Sequence, residues 1–413
     1  MTMLGSPARI AFFPAAFALV LTQSLGGCST SADSPAGSGT AGNPAVGSSG
    51  AGAAGAPAPG TAGSSAAGGG SAGTAGSPAA GAAGTPSSNA GSGGSGEAGS
   101  AGGSSLGGTG GGAGGAGTVS TMGMQTDPGT VGDGTVPQPP PYDLKPESLG
   151  LLNGAPKGQL LGPMIHTQTG TYTNWDTWKF TYWVYVPAQY KPGHAAAIMI
   201  MNDGAKYIGD PNASSFRFNT PTVFDNLIHE GSMPVTIGVF IGPGSNDGHF
   251  VTGGDAGRSR QYDTANDQYG KFLFTEFIPA EITAKYSIVT DADGWAMTGH
   301  SSGGNASITA GWFYSDKLHK VLTASATMGL TGGKFPGLFT MGPAKPLRIY
   351  HMAGSKDDAG VFPENNQLAK NLTALSYHYR YRPGEDVHAP PSAAASDFPD
   401  ALRWLWRNYK AGL

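Results

Sequence analysis

Residues 29–137 contain no aromatic residue, no lysine or arginine and only four acids (Asp33, Glu97, Asp127 and Asp133), yet they hold 35 of the chain's 69 glycines. So long a stretch with so few apolar side chains cannot bury enough surface to offset the entropy of ordering it, which excludes a globular N-terminal domain. Of the chain's 39 aromatic residues 36 lie in 138–413, with 22 of the 23 bases and 23 of the 27 acids. That part is long enough to form one domain with its own core. Its formal charge is near −1 (22 minus 23), and it has no run of Lys or Arg. This argues against a nucleic-acid partner, which needs a basic footprint. A single cysteine excludes a disulfide framework and a multi-cysteine metal site.

The N-terminus reads as an address. Arg9 precedes the apolar run Ile10–Leu21, too short for a transmembrane helix but suited to the core of a signal peptide. Leu25-Gly26-Gly27-Cys28 follows and resembles a bacterial lipobox, which implies cleavage before Cys28 and lipidation of its thiol. The expected organisation is a lipoprotein signal peptide over 1–27, a Gly/Ala/Ser/Pro-rich disordered tether over 28–141, and an α/β domain over 142–413. The tether would span ~55–60 Å root-mean-square. Ser29 after the cysteine, in place of Asp, implies the outer membrane in a Gram-negative host, with the domain periplasmic or extracellular and the lipid as its only membrane contact. Gly110-x-Gly112-x-x-Gly115 lacks a flanking strand or helix and is not read as a nucleotide site.

From about residue 160 onward, apolar runs alternate with amphipathic stretches. Strands are expected over 178–186, 196–201, 235–241, 294–298, 347–352 and 377–381. Helices are expected over 222–229, 263–286, 302–313, 364–375 and 398–409. Strands alternating with helices predict an α/β domain with a mostly parallel central sheet and helices on both faces, its chemistry at the carboxyl ends of the strands.

Gly299-His300-Ser301-Ser302-Gly303 fits G-x-S-x-G between an expected strand and an expected helix, the context of a nucleophile elbow. A serine there needs a base to take its proton, and the base needs an acid to fix its tautomer. In the order that this arrangement requires, Asp357 or Asp358 follows one strand and His388 follows the next; Asp357 is the preferred acid. Of the remaining histidines, His166, His194, His229, His249, His300, His319, His351 and His378, most read as loop, surface or strand residues, and His319 as part of a helix. The amide of Ser302 is one expected oxyanion donor. The turn Asn202-Asp203-Gly204-Ala205 supplies the other, through Gly204 or Ala205. His249 is a further candidate for lining the pocket.

Several separated stretches carry a resemblance: Met201–Gly204, Pro221–Ile228, Met233–Gly244, Arg258–Asp263, Gly299–Gly304 and Pro399–Trp406. Over roughly 160–410 the chain resembles the esterase family that includes the enterochelin esterases, within the α/β-hydrolase fold. The resemblance implies Ser301 as nucleophile, Asp357 as acid and His388 as base, and a charged brace behind the site made by Arg260 and Glu276. Two features depart from it. Asp386-Val387 precedes His388 where relatives often have Gly-Gly, and the run Ala389–Ala395 replaces a second histidine. The expected activity is hydrolysis of carboxylic esters through an acyl-enzyme on Ser301, with no cofactor and no metal. The alternatives are acyl transfer to an alcohol acceptor on the same fold and a non-catalytic surface binding module. A siderophore ester, an acylated polysaccharide and a small acyl ester all fit as substrate. Trp175, Trp178, Tyr207, Phe216, Phe218 and Phe250 are candidates for stacking on it.

Overall fold

The computed structural model describes residues 121–126, 128–209, 216–248, 256–331, 337–340, 342–388 and 391–411. The signal peptide, Cys28, most of the expected tether, His249 and Phe250 lie outside these residues. Two short strands, β1 (Met124–Gln125) and β2 (Gly134–Thr135), and a helical turn, α1 (Pro146–Leu149), precede the antiparallel pair β3 (Gln159–Thr167) and β4 (Lys179–Val186). Strands and helices then alternate. They are β5 (Ala197–Asn202), α2 (Ala205–Ile208), α3 (Thr220–Glu230), β6 (Thr236–Ile241), α4 (Ala256–Tyr262) and α5 (Gln268–Phe272). The series continues with β7 (Trp295–His300), α6 (Ser302–Phe313), β8 (Lys320–Ala324), β9 (Arg348–Lys356) and α7 (Val361–Ala374). It closes with β10 (His378–Val387), α8 (Ser392–Trp406) and β11 (Tyr409–Lys410).

Nine strands form one sheet in the order β2-β10-β9-β8-β7-β5-β6-β4-β3. Neighbours from β2 to β6 are parallel, and β4 and β3 complete the far edge antiparallel. Strands β5 and β6 are buried along their whole length, which is why they read as continuous apolar runs rather than alternating ones. The alternation survives in where the side chains go. Ile198 and Ile200 join a core layer with Phe272 of α5, Ile308 of α6 and Leu368 of α7. Ala197, Met199 and Met201 join the opposite layer with Phe224 of α3 and Phe398 and Leu402 of α8. Helices therefore cover both faces, as the α/β-hydrolase expectation requires.

Three expectations are corrected. The stretch 263–286 is not one helix. α4 ends at Tyr262, α5 starts only at Gln268, whose amide bonds the Asn266 side chain, and Leu273–Phe277 and Pro279–Thr283 are wound as π-helical turns. Pro279 has no amide to donate, which breaks the regular α-helical ladder there. His319 is not helical but stands just before β8, a strand the sequence reading did not single out. The tether boundary at 141 also moves. Within 121–141, β1 pairs with β11 and β2 extends the main sheet beside β10, so this stretch belongs to the folded domain.

Candidate active site

The strand-to-helix turn at Ser301 follows from spacing so tight that only glycine fits beside it. A Cβ on Gly299 would lie 2.2 Å from the carbonyl carbon and oxygen of Gly303, so the end of β7 and the first turn of α6 touch backbone to backbone. Ser301 takes up the turn at φ 61° and ψ −129°, a left-handed conformation for a residue with a side chain. Its amide donates to the Ala324 carbonyl at the end of β8 (2.9 Å), and its carbonyl accepts from Asn305 (3.1 Å), so both neighbours hold the strained residue in place.

The turn lifts the Ser301 hydroxyl to the carboxyl edge of the sheet, where two loops meet it. His388, just past β10, places Nε2 2.8 Å from Ser301 Oγ and Nδ1 2.6 Å from Asp357 Oδ1, beyond β9. Burial pushes Asp357 up, but hydrogen bonds from His388, Ser325 and the Asp358 amide outweigh it and leave the carboxyl below the ordinary range. Asp358 is exposed; its amide donates to Asp357 (2.8 Å), and its own carboxylate is not the partner of His388. Of the two acids, Asp357 is the one that faces His388. Asp357, Asp358 and His388 cluster closely enough to be considered for a cation. Both ring nitrogens of His388, however, already face hydrogen-bond partners. A serine hydroxyl on an imidazole whose far nitrogen meets a carboxylate is the arrangement that transfers the hydroxyl proton as oxygen attacks.

Asp386, near the end of β10, holds the loop at His388. Its two carboxylate oxygens accept from the amides of Val387 (2.9 Å) and Ala393 (2.7 Å), joining the end of β10 to the start of α8. His300 supports the same loop from beneath. Its Nε2–H donates to the His388 carbonyl at 2.6 Å. Burial first, and then the positive charge of Lys206, bring its pKa down to about 3, so the ring stays neutral.

One of the three expected oxyanion donors is engaged elsewhere. Gly204 donates its amide to the Ile241 carbonyl (3.0 Å) and has none to offer. Ala205 and Ser302 are the first residues of α2 and α6, where an amide has no partner within its own helix. The two helix starts are linked, because Asn202 Nδ2 donates to the Gly303 carbonyl (3.1 Å) and to Ser307 Oγ (3.0 Å).

The brace expected from Arg260 and Glu276 is not there. Arg260 is exposed and faces Asp176 at 3.4 Å. Glu276 instead accepts from Gly170, Thr169 and Tyr172 and faces His166, beside β3. Burial drives its carboxyl up, and these bonds more than reverse the shift. The charged pair behind the elbow is Arg258 with Asp203. Arg258 Nε and Nη2 donate to the two oxygens of the fully buried carboxylate at 2.9 and 2.6 Å. Burial would raise Asp203, but Arg258 and Lys206 hold it below the ordinary range.

The stacking candidates separate in the same way. Trp178, Tyr207 and Phe218 are core residues with 2% of their surface exposed or less, and Trp175 packs against Trp178, ring centroids 5.2 Å apart. Among the described candidates Phe216 stands beside the site, its ring 5.5 Å from that of His300 and under Lys206 Nζ at 4.7 Å.

Sheet order and elbow together define an α/β hydrolase. A family model described as "Putative esterase" matches residues 174–389, more than half of the chain, and the chain belongs to this family. It is a serine-type ester hydrolase. No curated protein sequence matches it. Among solved structures, it is similar to a ferulic acid esterase from Anaeromyces mucronatus, at 18% identity and TM-score 0.48, over 65% of this chain and 97% of that one. It is also similar to the enterochelin esterase of Shigella flexneri, at 17% identity and TM-score 0.44, over 55% of each chain.

Proposed function

We propose that Ser301, His388 and Asp357 are the catalytic residues of a lipid-anchored esterase that acts on esters outside the cytoplasm, with a siderophore or an acylated polysaccharide as substrate. The observation that carries this reading is the unbroken path Ser301 Oγ–His388–Asp357, at 2.8 and 2.6 Å.

Ser301 Oγ attacks the ester carbonyl carbon while its proton passes to His388 Nε2. The negative charge on the carbonyl oxygen is met by the amides of Ala205 and Ser302. As the intermediate collapses, the carbon–oxygen bond to the alcohol breaks and His388 returns the proton to the leaving oxygen. Water then attacks the acyl-enzyme with His388 as base, which releases the acid and restores Ser301. Asp357 accepts from His388 Nδ1–H throughout and stabilises the imidazolium. The Arg258–Asp203 pair fixes the turn that presents Ala205. Tether length and the lipobox-like Cys28 support a substrate met in the periplasm or beyond.

A fluorophosphonate tests the assignment. One adduct on the Ser301 peptide is expected, absent in Ser301→Ala and formed about 10⁴-fold more slowly in His388→Ala. Incubation with feruloylated polysaccharide, acetylated xylan and a catecholate siderophore ester then identifies the substrate by the acid released. Labelling elsewhere, or turnover of small esters only, contradicts the respective parts of the proposal.

A further inference from the structure

We propose that residues 134–142, of which the sequence assigns 134–141 to the tether, are a positioning element for His388, acting through Gln138 and Tyr142. This rests on His388 being the catalytic base.

Beside β10, β2 adds a parallel outer strand, and the ladder continues beyond it. Val136 donates to the Tyr381 carbonyl and Gln138 to the Pro383 carbonyl, each at 2.8 Å. On the other side of β10 the register with β9 shifts between Gly384 and Val387, so the β9 side stops giving regular support just before His388. The 134–142 segment supplies support there. Pro139, Pro140 and Pro141 have no amide to continue a ladder, so the strand stops at Gln138 and the chain turns back over Gly384. The turn delivers Tyr142, whose hydroxyl accepts from the Glu385 amide (2.6 Å) and donates to the Gln138 carbonyl (3.2 Å). The buried Gln138 side chain reaches the other flank of His388, donating from Nε2 to the Ala393 carbonyl (3.0 Å) and Ser396 Oγ (2.9 Å) at the start of α8. Ala393 in turn donates its amide to Asp386. Both ends of the His388 loop are thereby tied to one short segment. His388 must keep two short hydrogen bonds at once, and small displacements of a catalytic group are costly in rate.

The test uses the full chain with Tyr142→Phe, Gln138→Ala and the double variant, and with Arg407→Ala as control. Arg407 holds the stretch just before this segment, at the carbonyls of Val131 (2.6 Å) and Gly129 (2.9 Å), away from the His388 loop. Ester kinetics, Tm and amide hydrogen exchange at 384–388 are measured on each. The double variant is expected to lose about tenfold or more in kcat with KM unchanged, with faster exchange at Glu385. Arg407→Ala is expected to lower Tm and leave kcat unchanged. Unchanged kcat in the double variant, unchanged exchange, or an equal kcat loss in Arg407→Ala overturns the proposal. An inactive wild type instead overturns the assignment of the site, while exchange at Glu385 still reports whether the segment holds the loop.

Discussion

Asp203 is a fully buried carboxylate beside the Ser301 turn, and it is tolerable there because Arg258 meets both of its oxygens and Lys206 lies 3.5 Å away. Removing the arginine while leaving the acid takes away both of its charged hydrogen bonds and leaves Lys206 alone to oppose the buried charge. Arg258→Met is expected to cost about 3–5 kcal/mol of stability, whereas Arg260→Ala at the exposed neighbouring position is expected to cost less than about 0.5 kcal/mol. Urea unfolding of the two variants checks the contrast, and equal effects would contradict it. The sequence held the information to choose between these arginines. In Arg258-Ser-Arg-Gln-Tyr, helical spacing puts Arg258 on one face with Gln261 and Tyr262, both buried, and Arg260 on the other. Ser301, Asp357 and His388 were legible for a different reason, since each follows a strand in the chain order that the chemistry needs. That the Gly204 amide is taken by Ile241 has no trace in the sequence, because the partner lies on another strand.

Most elements were readable where an apolar run was bounded by Gly or Pro, as for β5, β6 and α6. β8 was not, since it opens on Lys320 and no Gly or Pro separates it from the preceding helix. Lys320 is nevertheless buried, its ammonium donating to the Asp293 carbonyl and lying 4.7 Å from the Tyr409 ring centroid and 5.3 Å from that of Trp406. Burial lowers its pKa from 10.5 to about 8, with Asp293 opposing the shift. Below about pH 8 both states are protonated, and the fold bears the penalty of a buried charge. Between 8 and 10.5 the unfolded chain binds the extra proton, so this group's contribution to stability rises with pH, by up to about 3 kcal/mol. The stability difference between wild type and Lys320→Met, followed from pH 7 to 10, is expected to change by that sign. A difference independent of pH would contradict the burial argument.

At the scale of the whole molecule, composition separated a Gly-rich stretch from a domain but placed the boundary too late. Residues 121–141 have the composition of the tether, yet their backbone amides complete a sheet edge and their few side chains reach the domain. Asp133 pairs with His378 (2.9 Å), and Gln138 reaches α8. Main-chain pairing of this kind asks little of side chains, so a polar Gly/Pro-rich segment can supply it unannounced. A chain beginning at residue 121 is expected to keep the Tm and kcat of the full-length protein, whereas one beginning at 142 is expected to lose both; equal Tm values for the two would contradict the boundary. The central claim is that this domain cleaves esters through Ser301. Rapid-mixing hydrolysis of p-nitrophenyl acetate by the full-length protein tests it most directly. A burst of nitrophenol of about one equivalent per Ser301 is expected, then slower turnover, with both lost by roughly 10⁴-fold or more in Ser301→Ala. Turnover in Ser301→Ala equal to that of the wild type would contradict it.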